Sequence, residues 1–466
     1  MDAKNVAELS FGEQHFGGAK LGDARLTKRA VISADAIHKH PGGTLPDKFN
    51  SNAELFGFYD FCNNRKVTHQ KTLAVHVQTT IKRMDDGVGV VLILHDTTEL
   101  DFSGLDIADL GQIGHGGCRG LLCHNSLAFD CANREVLGLV SQILHRRRDV
   151  PKGETPAAKR NHPERESRLW PKALKSLPAR PEGGRLRVHV ADRGADCFEF
   201  MECIEGRREA YVIRSKSNRR VELEAAGGAC AGGAKLHDWA RKLPTAGHRT
   251  VHVSANHNQP EREAKVRVAY GSMRIVAPHP KRGEHGDEPL VVWVIHVQEQ
   301  KPAPGCQPLE WILLSNVPVE NVADAHARVD WYACRPVIEE YHKAQKTGCS
   351  IESPQFTTRK ALEVAIAMLS VVATQLLRLR DLSRRADAAT RPACEVVGGM
   401  YVEALSLWRF KERRDLTVWE FFWGLAKLGG HLNRKHDKRP GWLVLWRGWM
   451  KLQLLVEGMA IGRRKR

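Results

Sequence analysis

The sequence predicts an α/β protein: a mixed five-stranded sheet with helices on its faces, a β-rich insertion, and helical domains at both ends. Three observations predict it. Residues 88–94, 121–129 and 136–143 are consecutive strand-like runs separated by turn-forming residues. Between residues 168 and 213 the pattern becomes helix, strand, helix, strand, the order of crossover connections. Both ends of the chain instead place apolar residues at helical spacing.

Residues 1–70 read as a helical domain with basic residues between small apolar ones. Within 21–40, Leu26, Ala30, Val31 and Ala34 share a helical face, Arg25, Lys28 and Arg29 lie mostly off it, and Asp23 is placed to cap the start. Residues 71–380 form the sheet-bearing domain. After the opening strands, 146–181 is basic and proline-containing with a helix at 168–177; strand 186–191, helix 198–205 and strand 210–213 complete the sheet. The insertion, about 216–310, alternates like strands and contains a flexible glycine-rich turn at 225–235. A strand at 311–314 and one long helical region from 322 to about 382 follow. Residues 381–466 form a third domain, a small-residue linker at 381–399 and then helices with six of the 11 tryptophans. Trp442, Trp446 and Trp449 share one helix face, the pattern of a core stripe or of a dimer seam.

A chain of 466 residues exceeds one compact unit and implies roughly two to four domains. Its net charge of +17 favours a polyanionic partner, nucleic acid first. No apolar run approaches the length of a bilayer span, and the N-terminus lacks the order of a signal peptide. A cytoplasmic protein without a membrane partner is expected. The 11 cysteines, odd in number and without a CxxC pair, fit reduced thiols; Cys118 and Cys123, the closest two, lack a second pair at zinc spacing.

Phosphoryl transfer with a metal needs carboxylates that converge on one or two hard cations, commonly at the carboxyl ends of adjacent strands. Asp96 ends VVLILH and Asp192 ends LRVHVA, both at expected strand ends. Tyr332, Arg335, Glu339 and Lys346 are spaced by 3, 4 and 7 residues. On one helix their directions fall within about 60° of one another. Such a face presents a hydroxyl, a guanidinium, a carboxylate and an ammonium together. The carboxylate can ligate metal and the others can hold phosphate oxygens. Glu340 points about 100° away and is the poorer ligand.

HDTTELDF, VADRGAD and YACRPVIEEYHKAQKTG carry the resemblance to a known family: the chain resembles the Tn5-like transposases of the IS4 group, whose Y-x2-R-x3-E-x6-K signature is intact here. LGDARLTKR, GLLCHNSL, AYVIRSKSNRR, PLEWILLSNVPVE and the tryptophan-rich end extend the likeness over nearly the whole chain. The resemblance implies an RNase H-like catalytic domain, a helical DNA-end-binding domain before it and a helical dimerisation domain after it. It implies cut-and-paste transposition with Mg2+, or Mn2+ in its place, by a homodimer on double-stranded transposon ends and target DNA, with a hairpin intermediate. Asp96, Asp192 and Glu339 match the metal-binding DDE triad. Tyr332, Arg335 and Lys346 match phosphate contacts, Trp311 the ring under a flipped base, Arg214 a DNA contact, and Arg25 and Arg29 end-recognition positions.

Two departures stand out: Pro336 replaces the aromatic that usually follows the motif arginine, and Cys62 replaces an arginine. An RNase H-like nuclease without strand transfer is the competing enzyme. A transposase-derived, non-catalytic DNA-binding regulator is the competing class. The basic N-terminal helices and the tryptophan-rich end disfavour the first, and the intact acidic signature disfavours the second.

Overall fold

The structure, a computed structural model, describes residues 9–224, 230–253, 261–278, 285–434, 437 and 439–464. Five helices come first: α1 (Phe11–Phe16), α2 (Ala24–Lys39), α3 (Leu45–Lys48), α4 (Asn52–Asn63) and α5 (His69–Asp85). Asp23 caps α2 as its position predicts, its side chain accepting from the Arg25 N–H at 2.9 Å.

The sheet opens with β1 (Val90–Asp101), β2 (Gly111–Gln112), β3 (Arg119–Asp130) and β4 (Glu135–His145). After α6 (Pro156–Asn161) and α7 (Leu169–Lys175) come β5 (Leu186–Ala191), α8 (Phe198–Gly206) and β6 (Ala210–Arg214). The insertion contributes β7 (Arg220–Glu224), β8 (Cys230–Lys235), α9 (Leu236–Ala240), β9 (Gly247–Val253), β10 (Arg262–Ile275) and β11 (Leu290–Glu299), followed by β12 (Glu310–Ser315). Of the expected glycine-rich turn, residues 225–229 lie outside the described residues, while the rest belongs to β8.

The five strands read from sequence lie in the order β4–β3–β1–β5–β6; β3 is antiparallel to both β4 and β1, whereas β1, β5 and β6 are mutually parallel. The sheet does not stop at five strands. β12 pairs antiparallel with β6, and β11, β10, β7 and β8 continue outward, giving 12 strands among the described residues. β12, which follows the insertion, thereby satisfies the backbone groups that β6 would expose as an edge, and the insertion's β11 covers β12 in turn.

The expected strand end at Asp96 needs correction on one side only. Parallel pairing with β5 ends at His95↔Ala191, but β1 continues against β3 to Asp101↔Gly120. Asp96 is therefore mid-strand toward β3 and at a strand end toward β5.

The helical region expected from 322 to about 382 is three helices: α10 (Val322–Ala333), α11 (Pro336–Lys343) and α12 (Arg359–Arg384). Pro336 occupies the first turn of α11, where its missing N–H costs nothing, and the chain breaks just before it. α12 also corrects the expectation that no segment is long and apolar enough for a bilayer. It passes that test by length and composition, yet 78% of its apolar window is buried inside the protein, so it is a core helix. The chain ends in α13 (Gly399–Phe410), α14 (Val418–Leu428) and α15 (Trp442–Arg464).

One apolar core joins Phe16 and Phe58 of the N-terminal helices, Leu92 and Leu94 of β1, Leu369 of α12 and Phe421 of α14. A second core, on the opposite sheet face, gathers Trp170, Phe200, Tyr211 and Leu314. Trp442, Trp446 and Trp449 are buried in the first, and Trp449 stacks on Tyr401 at 4.8 Å, so the stripe is core and not a free seam.

Candidate active site

Asp96 and Asp192 leave the sheet side by side. Each follows the last paired residue of parallel neighbours whose backbones lie about 4.8 Å apart. Asp96 Oδ1 accepts from the Thr97 N–H at 2.8 Å, and Asp192 Oδ1 accepts from the Gly194 N–H at 2.8 Å. Gly194 packs tightly there: a Cβ would come within 3.1 Å of both Asp192 Oδ1 and the Trp170 ring, so either would have to shift by a few tenths of an ångström.

Glu339 approaches from the first turn of α11, and Arg335 stands at that helix's start. The Arg335 guanidinium joins the three acids: Nη2 lies 2.9 Å from Asp96 Oδ2 and 3.6 Å from Asp192 Oδ2, while Nη1 bonds Glu339 Oε1. Burial raises the Asp96 carboxyl to about 6, against the pull of Arg335. Burial also opposes the charge on Arg335, but the carboxylates, Asp96 foremost, outweigh it and hold its pKa above the ordinary value.

The expected single face of Tyr332, Arg335, Glu339 and Lys346 does not form, because the break before Pro336 separates Tyr332 on α10 from the rest. Tyr332 is buried, 5% exposed, and meets Trp311 edge-on at 4.9 Å. Arg214 donates to the Glu310 carbonyl beside them at 2.8 Å, and its charge is felt by Tyr332. These three residues and the acids thus share one end of β5, β6 and β12. Lys346 lies apart, in the π-helical turn Ala344–Gly348, with Nζ 3.2 Å from Glu352 Oε1 near the far end of β1. Arg25 is fully outward on α2, bonded to Asp23, whereas the Arg29 guanidinium lies across Gly57 of α4.

Sequence reading missed what lies beneath the acids. His95 Nε2 is 2.8 Å from His189 Nδ1, His189 Nε2 is 2.7 Å from Glu209 Oε2, and His95 Nδ1 is 2.9 Å from Ser126 Oγ. All four are buried. Burial lowers both imidazole pKa values, so the rings are neutral. The available signal was a histidine in each of the two mainly apolar runs VVLILH and LRVHVA, one directly before Asp96 and one three residues before Asp192.

Among the described residues, no three histidine, cysteine or acidic side chains are gathered as a ready metal site. The point where Asp96, Asp192 and Glu339 meet is taken by the Arg335 guanidinium, a cation standing among oxygen donors. Those oxygens are the donors a hard dication such as Mg2+ selects, so the residues fit one once Arg335 turns away.

The fold and site together define a class: a mixed sheet with acidic residues gathered at adjoining strand ends, preceded by basic helices. Residues 9–67 match the family model described as transposase DNA-binding. A piggyBac transposase, solved by cryo-EM as a synaptic complex with hairpin DNA, is similar at 11% identity and a TM-score of 0.38. The comparison covers 77% of this chain and 66% of that one, so this chain spans about two thirds of that chain's length.

Proposed function

We propose that the protein is a cut-and-paste DNA transposase. It would bind element ends through residues 9–67, cut both strands there, and join the 3′ ends to target DNA as a dimer. The observation that carries this reading is the meeting of Asp96, Asp192 and Glu339 on one guanidinium, beside Trp311, Tyr332 and Arg214. The transposase DNA-binding match and the net charge of +17 support it. The order and directions of β4–β3–β1–β5–β6 support an RNase H-like sheet.

Bound Mg2+, or Mn2+ in its place, would supply activation of the attacking oxygen and stabilisation of the leaving one. Asp96, Asp192 and Glu339 would hold it. Arg335, released from the carboxylates, would hold phosphate oxygens, joined by Lys346 once freed from Glu352. Trp311, backed by Tyr332, offers a ring to a base that leaves the stack in a tight hairpin. Pro336 supplies no second ring, so the hairpin route rests on Trp311. Arg25 and Arg29 would read the element ends.

The test is linear DNA carrying the element's terminal sequences, incubated with protein and Mg2+ and run on a denaturing gel beside Asp192→Ala. Metal-dependent cleavage at the element boundary, lost in the variant, is the expected result. A hairpin band is expected too. End-specific binding with no cleavage in Mg2+ or Mn2+ would make the protein a DNA-binding regulator. Cleavage without joining would make it a nuclease.

A further inference from the structure

A second feature lies where α12 ends. A cleft of about 300 Å³ is enclosed by the last turn of α12, by α14 and by the segment leading into α15. Trp419, Phe422 and Trp423 line it together with Arg384 and Arg439. Trp419 is 48% exposed, unusual for so large a ring, and its plane meets that of Trp423 at 50°.

The charges here are unbalanced. The Asp381 carboxylate is committed to Arg380 at 2.8 Å and to the Val136 N–H at 2.9 Å. Arg385 is committed to Asp387 at 3.0 Å. Among the described residues, neither Arg384 nor Arg439 makes an ion pair. Burial lowers the pKa of Arg384, and its neighbours Arg380 and Arg439 lower it further. Two guanidinium groups without an ion-pair partner, in one cleft with an open indole, are suited to a ligand with a flat π system and an anionic group. The volume, at the small end of ligand pockets, admits one such unit.

The cleft is also tied to the acids. One turn before Arg384, Arg380 bonds Glu340, the residue after Glu339.

We infer that this cleft holds one unstacked nucleotide of a DNA strand, its base on Trp419 and its phosphate between Arg384 and Arg439. The strand's origin rests on the transposase reading; the nucleotide chemistry of the cleft does not. Stacking on an aromatic with arginine at the phosphate is the sequence-tolerant way to hold single-stranded DNA.

The test uses the full-length protein and a single-stranded oligonucleotide with 5-iododeoxyuridine, irradiated and mapped by mass spectrometry. Cross-links at Trp419 or Trp423 are expected. In Arg384→Gln/Arg439→Gln, oligonucleotide affinity should fall about tenfold, and the salt slope should shrink by about 0.7 for each phosphate no longer neutralised. A thermal melt of that variant checks folding, and Trp419→Leu, at an exposed position, gives an independent route to the same weakening. Cross-links confined to other sites, with affinity unchanged in both variants, would overturn the assignment. Displacement from the cleft by free dAMP at equal concentration would overturn the strand as ligand in favour of a mononucleotide. Because the cleavage gel reads the acids and the cross-link reads the cleft, either proposal can fail while the other stands.

Discussion

Arg335 decides what the acidic residues can do. Its single positive charge stands among three carboxyl groups, at the point where the proposed dication would sit, and two cations cannot share that point. Arg335→Ala should therefore bind Mn2+ at least tenfold more tightly than the unaltered protein without DNA, about 1.4 kcal/mol, yet cut DNA more slowly. Titration calorimetry with Mn2+ measures the first effect; equal affinities would show that the guanidinium does not block the ion. The strand-end positions of Asp96 and Asp192 were legible from residue types, and the family resemblance grouped them with Glu339. The pairing of Arg335 with Glu339 follows from their i,i+4 spacing, but its reach to Asp96 and Asp192 does not, because spacing along one helix cannot show what approaches from a strand.

At the scale of elements, the break between α10 and α11 was written in Pro336, which can begin a helix but not continue one. The continuation of the sheet was not legible. Alternation in β7 to β11 identifies strands but says nothing about which edge they join. The packing of α2 on α4 gives a prediction. Gly to Ala within a helix ordinarily stabilises by about 0.5–1 kcal/mol. At Gly57 a Cβ would meet only the tip of the flexible Arg29 side chain, which must swing aside, so Gly57→Ala should leave stability unchanged or raise it by up to about 1 kcal/mol while displacing the guanidinium. Thermal unfolding measures it, and a clear fall in Tm would show that Arg29 is held in place. If Arg29 contacts element ends, end binding should weaken in the same variant.

The whole molecule buries many histidines in neutral form. Burial lowers His15 and His124 to about 3 and His38 to about 4. The unfolded chain takes up protons below about 6.5 while these folded sites do not. Stability is therefore complete above about pH 6.5 and falls as pH drops toward the lowered values, by about 1.4 kcal/mol per unit for each such histidine. Urea midpoints between pH 7.5 and 5.5 should decline; a flat profile would show these rings to be open to water. The buried chain beneath the acids carries a further consequence. Burial would raise the Glu209 carboxyl, but its bond to His189 prevails and lowers it, leaving an ion that can only accept. His189 must then carry its hydrogen on Nε2, which obliges His95 to carry its own on Nε2 and the Ser126 hydroxyl to point at His95. A single carboxylate thus gives the chain an arrow from β3 through β1 to β5. In Glu209→Gln the amide can donate, and the arrow is free to reverse. Nitrogen-15 chemical shifts would show the tautomers of both rings changing together, directly below Asp96.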